Sequence, residues 1–270
     1  MRPIVLTLAG SDPSAGAGIQ ADIKTIEACG GFATSAVTAI TVQDGQQLSR
    51  CEPLPADLVR DQARAVLSQL PVAAVKSGML GTGEVVCEVA RLLRTHRPEH
   101  YVCDPVLRAG SGRSLLNSGA LELLREELLP LATLVTPNIP ELEALTDRDV
   151  PDLAAARHAA WRLLDGGVPA VLVKGGHLKA ERGIDLLITA DLERRFDGEW
   201  IENGETHGTG CAYSAAIATY LACGRGLEDA IRHGKELVIR AIRYRMPAGG
   251  PAGLADPFGA PPAASHGGAG

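Results

Sequence analysis

The most constraining feature of this sequence is the alternation of short apolar runs with longer segments of helical periodicity, which continues to about residue 246. Apolar runs rich in branched residues predict strands, and apolar residues spaced three or four apart predict helices. This alternation predicts an α/β fold with a mainly parallel sheet covered by helices on both faces. The predicted strands are residues 4–9, 36–43, 73–76, 101–106, 134–136 and 170–174, with a hairpin near 184–196 and two closing helices at 209–221 and 227–243.

Length and composition favour one domain followed by a dissimilar tail. The chain has 270 residues, which suits a single large α/β domain. Of the 24 residues from 247 to 270, 19 are Gly, Pro or Ala. A segment with so few large apolar side chains cannot repay its ordering entropy. We therefore expect a single domain over residues 1–246 and a tail, 247–270, that is at least partly disordered.

Charge and cysteine content argue against several classes of function. The net charge is −6, spread along the sequence, which gives no basis for binding nucleic acid or an anionic membrane. The apolar runs are all shorter than the roughly 18 residues of a membrane span. The six cysteines include no pair with CxxC spacing, which argues against a zinc ribbon or a dithiol redox centre. Their scattered positions predict a reducing, cytoplasmic environment.

The most distinctive local motif is a glycine-rich turn that leads into a run of small residues with helical character. It contains Gly208, Thr209, Gly210 and Cys211. Glycines let a ligand approach the backbone closely, and a helix N-terminus offers unpaired N–H groups and partial positive charge. Such a place can bind phosphate or a developing anion, and it tends to lower the pKa of a thiol such as Cys211. The alternative is a tight turn before a core helix, with Cys211 inert.

A second candidate site is the loop between the first strand and the first helix, within residues 9–22. It is rich in Gly, Ser and Ala, and it includes Gly10, Asp12 and Ala17. Ligands of open α/β sheets bind beyond the carboxyl ends of the strands, so this loop suits a small polar ligand. It lacks the GxGxxG spacing of dinucleotide-binding folds, and the chain lacks a GxxxxGK[ST] phosphate loop. The alternative is an ordinary connecting loop.

Four polar residues at or just beyond the ends of other strands are expected to meet at the same edge of the sheet. They are Asp104, Asn138, Glu141 and Lys174. Oxygen ligands of this kind suit a hard cation that bridges phosphates, and Lys174 could reach phosphate oxygens. The alternatives are helix capping for Asn138 and Glu141 and a solvated side chain for Lys174. Together with the two loops, the set suits phosphoryl transfer by positioning and charge neutralisation.

These segments resemble the motifs of hydroxymethylpyrimidine/phosphomethylpyrimidine kinases, a family of the ribokinase-like superfamily. The resemblance covers residues 1 to about 240, and its most specific parts are the AGSDPSAGAGIQAD sequence at 9–22 and Gly-Thr-Gly-Cys at 208–211. The chain departs from the family at its C-terminus, where Ala, Pro and Gly replace a frequent Gly-His-Gly-Pro motif. Shorter matching motifs lie at residues 38–43, 76–80, 104–106, 136–138 and 174–177.

The resemblance implies a ribokinase-like three-layer α/β/α sandwich with a central, mostly parallel sheet of about eight strands and no separate lid domain. It implies ATP and Mg²⁺ as cofactors. The implied activity is a kinase that phosphorylates 4-amino-5-hydroxymethyl-2-methylpyrimidine and its monophosphate in thiamine biosynthesis.

The resemblance also implies roles for individual residues. The catalytic set is Lys174 with the anion-hole residues Gly208, Thr209, Gly210 and Cys211, and Cys211 stands where relatives have a catalytic Asp. Gln43 is expected to hydrogen-bond the aminopyrimidine ring. The implied ATP contacts are Asn138, Lys174, Thr209 and Gly210, and the implied metal ligands are Asp104 and Glu141. The implied substrate contacts are Gly10, Asp12, Ala17, Gln43, Met79 and Val106.

Three other functions stay open at this point. A pyridoxal or pyridoxine kinase is the nearest, because its substrate is also a small aromatic ring with a hydroxymethyl group, although the amide of Gln43 favours an aminopyrimidine. A nucleotide or vitamin sensor on the same fold would be expected to lack Asp104, Lys174 or the anion-hole glycines. A thiol-redox protein using Cys211 would need a CxxC partner. The expected partner is a small pyrimidine rather than nucleic acid or membrane, and a homodimer is compatible with the sequence.

Overall fold

The computed structural model describes residues 1–44, 47–108, 112–117, 119–178, 182–202, 206–247 and 253–259. The strands are β1 (Ile4–Ser11), β2 (Phe32–Gln43), β3 (Leu48–Pro53), β4 (Val72–Ser77), β5 (His100–Cys103), β6 (Leu134–Val135), β7 (Ala170–Lys174), β8 (Ile184–Thr189), β9 (Glu193–Asp197), β10 (Thr206–His207) and β11 (Gly253–Leu254). The helices are α1 (Gly18–Ala28), α2 (Ala56–Gln69), α3 (Gly83–His96), α4 (Ala120–Leu123), α5 (Ile139–Thr146), α6 (Leu153–Asp165), α7 (Thr209–Ala222) and α8 (Leu227–Arg243).

One sheet organises the domain, with strand order β3-β2-β1-β4-β5-β6-β7-β8-β9. The six strands from β2 to β7 in this order are parallel, whereas β3, β8 and β9 pair antiparallel at the two edges. The parallel strands therefore end at the same edge of the sheet, which is where an α/β fold forms its ligand site. The mostly parallel α/β prediction is confirmed, with nine strands in the sheet rather than about eight.

Helices cover both faces of this sheet and create two apolar cores. The first core joins the sheet to α2, α3, α5 and α6, and the second joins it to α1, α7 and α8. Strand β1 shows how the sequence produces this arrangement, because successive side chains of a strand point to opposite faces. Val5 belongs to the second core and Leu6 to the first, and both are fully buried. Such a strand is a continuous apolar run, as the sequence shows.

Strand β2 begins at Phe32 rather than at residue 36, and β5 ends at Cys103 rather than at residue 106. Two further segments differ more from the sequence-based expectation. Strand β3 was not predicted, because it lies at the edge of the sheet and its residues are exposed or half-buried, so it lacks an apolar pattern. The helix expected over residues 118–128 is divided: α4 is followed by a wider π-helical turn at Leu124–Leu128 and a 3₁₀ turn at Leu129–Leu131.

The C-terminal segment contributes one described part, residues 253–259. Strand β11 pairs in parallel with β10, and Ala255 is buried. The remaining tail residues, 248–252 and 260–270, lie outside the described residues, and the division into a domain and a disordered tail stays a prediction. Within the described ranges, none of the helices combines the length and the apolar character that crossing a bilayer requires.

Candidate active site

One cavity of about 470 Å³ opens at the carboxyl edge of the parallel strands. It is lined by the glycine turn at residues 208–211, by all six expected substrate contacts, and by the polar set of Asp104, Asn138, Glu141 and Lys174. The structure therefore brings together every residue that the sequence analysis selected for chemistry. These residues come from loops that are distant in sequence, and the shared direction of the strands is what assembles them.

The glycine turn opens the N-terminus of α7 toward this cavity. Gly208 caps the helix with φ 86°, a left-handed conformation that favours glycine. A Cβ atom on Gly208 would overlap the carbonyl oxygen of Gly16, so the turn and the first loop can pack this closely only without a side chain. A Cβ on Gly210 would lie 3.2 Å from Lys174 Nζ. The backbone N–H groups of the helix start and the Lys174 ammonium therefore face the same space.

Lys174 forms an ion pair at the floor of the cavity. Its Nζ lies 2.7 Å from Oδ1 of Asp104, and the two side chains are 13% and 2% exposed. Asp104 also accepts hydrogen bonds from Thr136 Oγ1 at 3.1 Å and Ser214 Oγ at 3.2 Å. Burial alone would raise the pKa of Asp104, but Lys174 and Lys76 outweigh burial and hold that pKa below its ordinary value. Asp104 is thus an ionised carboxylate that accepts hydrogen bonds from three side chains, and the solvated alternative for Lys174 is wrong.

Asn138 and Glu141 form a capping box at the start of α5. The side chain of Asn138 accepts from Glu141 N, and Glu141 Oε2 accepts from Asn138 N, both at 2.8 Å. The capping alternative is therefore realised, and both residues still line the cavity. Burial raises the pKa of Glu141 to about 7, and the nearby Asp104 carboxylate adds to the rise, while Lys174 opposes it.

The side chains that could bind Mg²⁺ in this cavity are the carboxylates of Asp104 and Glu141. Within the described residues there is no group of three or more His, Cys, Asp or Glu side chains that could hold a metal by itself. Asp104 and Glu141 are two carboxylates close enough to repel each other, and Mg²⁺ is commonly bound through one or two carboxylates and the phosphates of a nucleotide. The two carboxylates therefore fit a cation that arrives with phosphates.

The pKa of the Cys211 thiol differs from the expectation. The first turn of a helix was expected to lower the pKa of this thiol, but its pKa is raised to about 11. Desolvation is the main cause. Lys76 opposes it, and the Asp22 and Asp104 carboxylates add to it. At neutral pH Cys211 is therefore a neutral thiol, chiefly because burial disfavours the charged thiolate.

A buried ion pair beside the cavity was not identified from the sequence. Lys76, at β4, places Nζ 2.8 and 2.9 Å from the two carboxylate oxygens of Asp22 on α1, and both side chains are fully buried. Thr7 also donates to Asp22. Burial alone would lower the pKa of Lys76, but the Asp22 carboxylate raises it. A lysine at the end of an apolar strand was the available signal, since lysine is rarely buried without a partner.

The opposite wall of the cavity contains Gln43 and the first loop. Gln43 is half-buried, and its Nε2 donates to Thr41 Oγ1 at 3.0 Å, while Thr41 in turn donates to the carbonyl of Ser11 at 2.8 Å. This chain of hydrogen bonds fixes the Gln43 side chain relative to the loop. Thr41 was missed from the sequence because its contribution depends on a contact across strands β1 and β2.

Asp12 organises the first loop from within. Its carboxylate accepts from Ser14 N at 2.9 Å, Ser14 Oγ at 2.8 Å and Ala17 N at 2.8 Å, and His207 Nε2 lies 3.1 Å from Oδ2. Burial would raise the pKa of Asp12, but these hydrogen bonds, led by that of His207, lower it. Neither His207 nor His177 has a metal-ligand partner at fixed spacing in the sequence. His207, in β10, hydrogen-bonds the first loop, whereas the side chain of His177 lies outside what the structure describes.

A second cavity of about 350 Å³ adjoins the first. The two cavities share Asn138, Lys174, Thr206, Thr209 and Gly210. The second is otherwise lined largely by apolar side chains, among them Trp200, Ile201, Val238 and Ile239. It was not predicted, because these side chains come from a loop and from α8 and form no motif. The site therefore consists of two compartments that meet at Lys174 and the start of α7.

Comparison with known proteins identifies the family. The phosphomethylpyrimidine kinase family matches residues 12–256. The bifunctional thiamine biosynthesis protein ThiED of Geobacter sulfurreducens is 45% identical over 92% of this chain, which spans only 51% of that relative. The hydroxymethylpyrimidine/phosphomethylpyrimidine kinase of Streptomyces coelicolor is 43% identical, with 94% of each chain covered.

Solved structures show the same fold. The phosphomethylpyrimidine kinase of Clostridium difficile superposes with a TM-score of 0.80 at 36% identity, covering 89% of this chain and 100% of that one. The pyridoxal kinase of Staphylococcus aureus, solved with AMP-PCP and pyridoxal, gives a TM-score of 0.86 at 32% identity, covering 95% and 94%. The fold is ribokinase-like, and the chain is a phosphotransferase that belongs to the phosphomethylpyrimidine kinase family.

Proposed function

We propose that this enzyme transfers the γ-phosphoryl group of ATP to the hydroxymethyl group of 4-amino-5-hydroxymethyl-2-methylpyrimidine, and then to the resulting monophosphate. The observation that carries the proposal is the meeting of two compartments at Lys174 and the N-terminus of α7. One compartment contains polar groups suited to a small ring, and the other is apolar and suited to a nucleotide base. A phosphoryl group passing between them would cross the boundary that the two cavities share among the described residues, beside the Lys174 ammonium.

Charge neutralisation at this boundary accounts for phosphoryl transfer. The transition state spreads negative charge over the oxygens of the transferred group, and catalysis depends on positioning and electrostatic stabilisation. The N–H groups at residues 208–211 and the ammonium of Lys174 are the chain's own groups for this purpose. Lys174 is held at 2.7 Å from Asp104, which fixes its position before substrate binds. Mg²⁺ bound with ATP would add charge neutralisation, and Asp104 and Glu141 are the residues that would hold it.

Cys211 contributes by orientation in this proposal. Its pKa of about 11 leaves about one molecule in a thousand as thiolate at pH 8. A loose phosphoryl-transfer transition state does not require a strong base, so a neutral thiol can hydrogen-bond the substrate hydroxyl without removing its proton. The same raised pKa argues against a thiol-redox function, which depends on a reactive thiolate.

The choice of substrate rests on Gln43. A carboxamide offers one acceptor and one donor group, which suits the ring nitrogen and exocyclic amine of an aminopyrimidine. The hydrogen bond to Thr41 fixes the amide's orientation, and Ala17, Met79 and Val106 line the same cavity. Pyridoxal has no exocyclic amine. It is nevertheless the second candidate, because a pyridoxal kinase of 32% identity has the same fold.

Replacement of Gln43 by Leu tests this assignment. A site that leaves a substrate's polar groups unpaired discriminates by roughly 1–3 kcal/mol, so Gln43→Leu should reduce kcat/KM for the hydroxymethylpyrimidine by about tenfold or more relative to pyridoxal. Gln47→Leu is the matched control, because Gln47 is exposed and does not line either cavity. Equal losses for both substrates in Gln43→Leu would remove the support for the pyrimidine.

We also propose a cytoplasmic homodimer. All six cysteines are free thiols, as expected in a reducing compartment. Strand β2 exposes three large apolar side chains, Phe32, Ile40 and Val42, and edge strand β3 lies beside it, so this end of the sheet offers a surface for a second copy. Sedimentation velocity on the wild type and on Val42→Lys tests the dimer. A monomeric wild type would refute it.

A further inference from the structure

The C-terminal strap, residues 253–256, is held on two sides by backbone hydrogen bonds. On one side β11 pairs with β10, with Leu254 opposite His207, and Ala255 N donates to the His207 carbonyl at 3.3 Å. On the other side Leu254 and Met246 exchange two hydrogen bonds of 2.9 and 3.0 Å. The strap thus fixes the two residues that directly precede the Gly208 turn.

The strap also contacts the first loop. A Cβ atom on Gly16 would lie 2.7 Å from Leu254 Cδ2 and 2.8 Å from His207 Cδ2. These distances show that both side chains lie against Gly16, so that a methyl group there would require them to move. Leu254 is half-buried and Gly253 and Ala255 are buried, so the contact is partly shielded from water.

A continuous series of contacts runs from the strap to the cavity. Leu254 and its partner His207 cover Gly16, His207 Nε2 lies 3.1 Å from Asp12 Oδ2, and the same Asp12 oxygen accepts from Ala17 N at 2.8 Å. Ala17 and Asp12 line the cavity. His207 also precedes Gly208, whose turn packs on the Gly16 carbonyl. The strap therefore supports the two loops that enclose the acceptor compartment, whereas it lines neither cavity.

We propose that the C-terminal strap is a positioning element for the acceptor substrate, with Leu254 as its main contact residue. It holds His207 and, through His207, the loop of Asp12, so that the acceptor compartment is formed before the small alcohol binds. The nature of that alcohol rests on the proposed function, but the role of the strap does not, because it concerns the loop and not the ring.

Two C-terminal truncations test the proposal. A chain ending at residue 252 lacks the strap, and a chain ending at Gly259 retains it, which makes the second the matched control. If loss of the strap lowers the fraction of molecules with an ordered Asp12 loop to about a tenth, KM for the acceptor rises about tenfold. We expect this rise in the shorter chain only, with KM for ATP changed less than about twofold on the same basis. An unchanged acceptor KM in the shorter chain would overturn the proposal.

Point substitutions cover the case in which the shorter chain does not fold. Leu254→Ala should raise the acceptor KM by several fold, whereas Leu254→Met, which keeps the volume of the side chain, should leave the acceptor KM close to the wild-type value. A fall in kcat without a change in acceptor KM in Leu254→Ala, or no rescue by Met, would also overturn the role. The acceptor in these assays is whichever alcohol the wild type uses best. A wild-type enzyme that phosphorylates pyridoxal but not the pyrimidine would thus refute the proposed substrate, while the test of the strap could still be carried out with pyridoxal.

Discussion

Replacing Lys174 by Met removes the cation that both compartments share while keeping most of the side chain's length. In the wild type, Lys174 Nζ lies 2.7 Å from Asp104 Oδ1, and Asp104 is almost fully buried. The substitution therefore has two separate effects. It leaves a buried carboxylate without its closest cation, and it removes positive charge from the boundary that a phosphoryl group would cross.

The structure sets the size of each effect. Breaking a buried ion pair by removing one partner typically costs about 3–5 kcal/mol, and hydrogen bonds from Thr136 and Ser214 to Asp104 remain to offset part of it. Removal of one group that stabilises transition-state charge typically costs about 10²–10³ in kcat. We expect a loss of stability near the lower end of the first range and a loss of kcat/KM for ATP within the second.

The matched control is Lys76→Met. Lys76 also forms a buried ion pair, with Asp22 at 2.8 Å, but it does not line either cavity. Urea denaturation of both variants gives the loss of stability, and initial rates with varied ATP and saturating acceptor give kcat/KM. Both variants should be destabilised, whereas only Lys174→Met should lose two or three orders of magnitude in kcat/KM for ATP.

A particular pattern would refute this reasoning. If Lys174→Met kept its ATP kinetics while the acceptor KM rose, the two compartments would be assigned the wrong way round. If both lysine variants lost the same activity, the loss would follow from damage to buried ion pairs in general, and Lys174 would have no specific role toward phosphates.

Three further predictions follow from the buried charges of the site. Cys211→Ala should lower kcat by at least about tenfold, or about 1.4 kcal/mol of barrier. The ratio of the wild-type kcat to the variant kcat should stay constant from about pH 6.5 to 8.5, because a thiol with a pKa of about 11 is neutral throughout this range. A ratio of kcat values that grows with pH would indicate a thiolate base. Because Glu141 has a folded-state pKa of about 7 against an ordinary 4.5, the folded state binds the extra proton, and the unfolding free energy of the ligand-free protein should fall as pH rises through this window. The urea midpoint should depend less on pH in Glu141→Gln, which keeps the capping box. The same pH dependence in the variant as in the wild type would contradict the raised pKa of Glu141. Lys76→Met combined with Asp22→Leu should be more stable than Lys76→Met alone, because no unpaired charge remains; a double variant of lower stability would argue against a buried ion pair.

The sequence predicted those parts of the fold that depend on local patterns. Central strands such as β1 are buried on both faces, so they are visible as apolar runs, and the polar residues after them were correctly expected at one edge. Edge strand β3 lacked this signal because one of its sides faces solvent. The same logic explains the site, where glycine turns and polar residues after strands were detectable as motifs.

Properties that depend on distant contacts were not predictable. The pKa of Cys211 is set by desolvation and by carboxylates on α1 and after β5, which no spacing in the sequence connects to residue 211. The second cavity is built from side chains of α8 and a loop near Trp200, none of which forms a motif. The strap at Leu254 lies in a segment whose composition predicted disorder, and it is ordered by hydrogen bonds to His207 and Met246. Tertiary contacts, which composition does not reveal, therefore determine the conformation of this segment.

Substrate preference tests the central claim most directly. Coupled assays of ADP release at saturating ATP and Mg²⁺ would give kcat/KM for the hydroxymethylpyrimidine, its monophosphate and pyridoxal in parallel. The orientation of Gln43 predicts that the two pyrimidines exceed pyridoxal by at least about tenfold, since a site with paired polar groups rejects a ring that leaves them unpaired. A wild-type enzyme that prefers pyridoxal would contradict the assignment of the acceptor compartment and of the activity proposed for it.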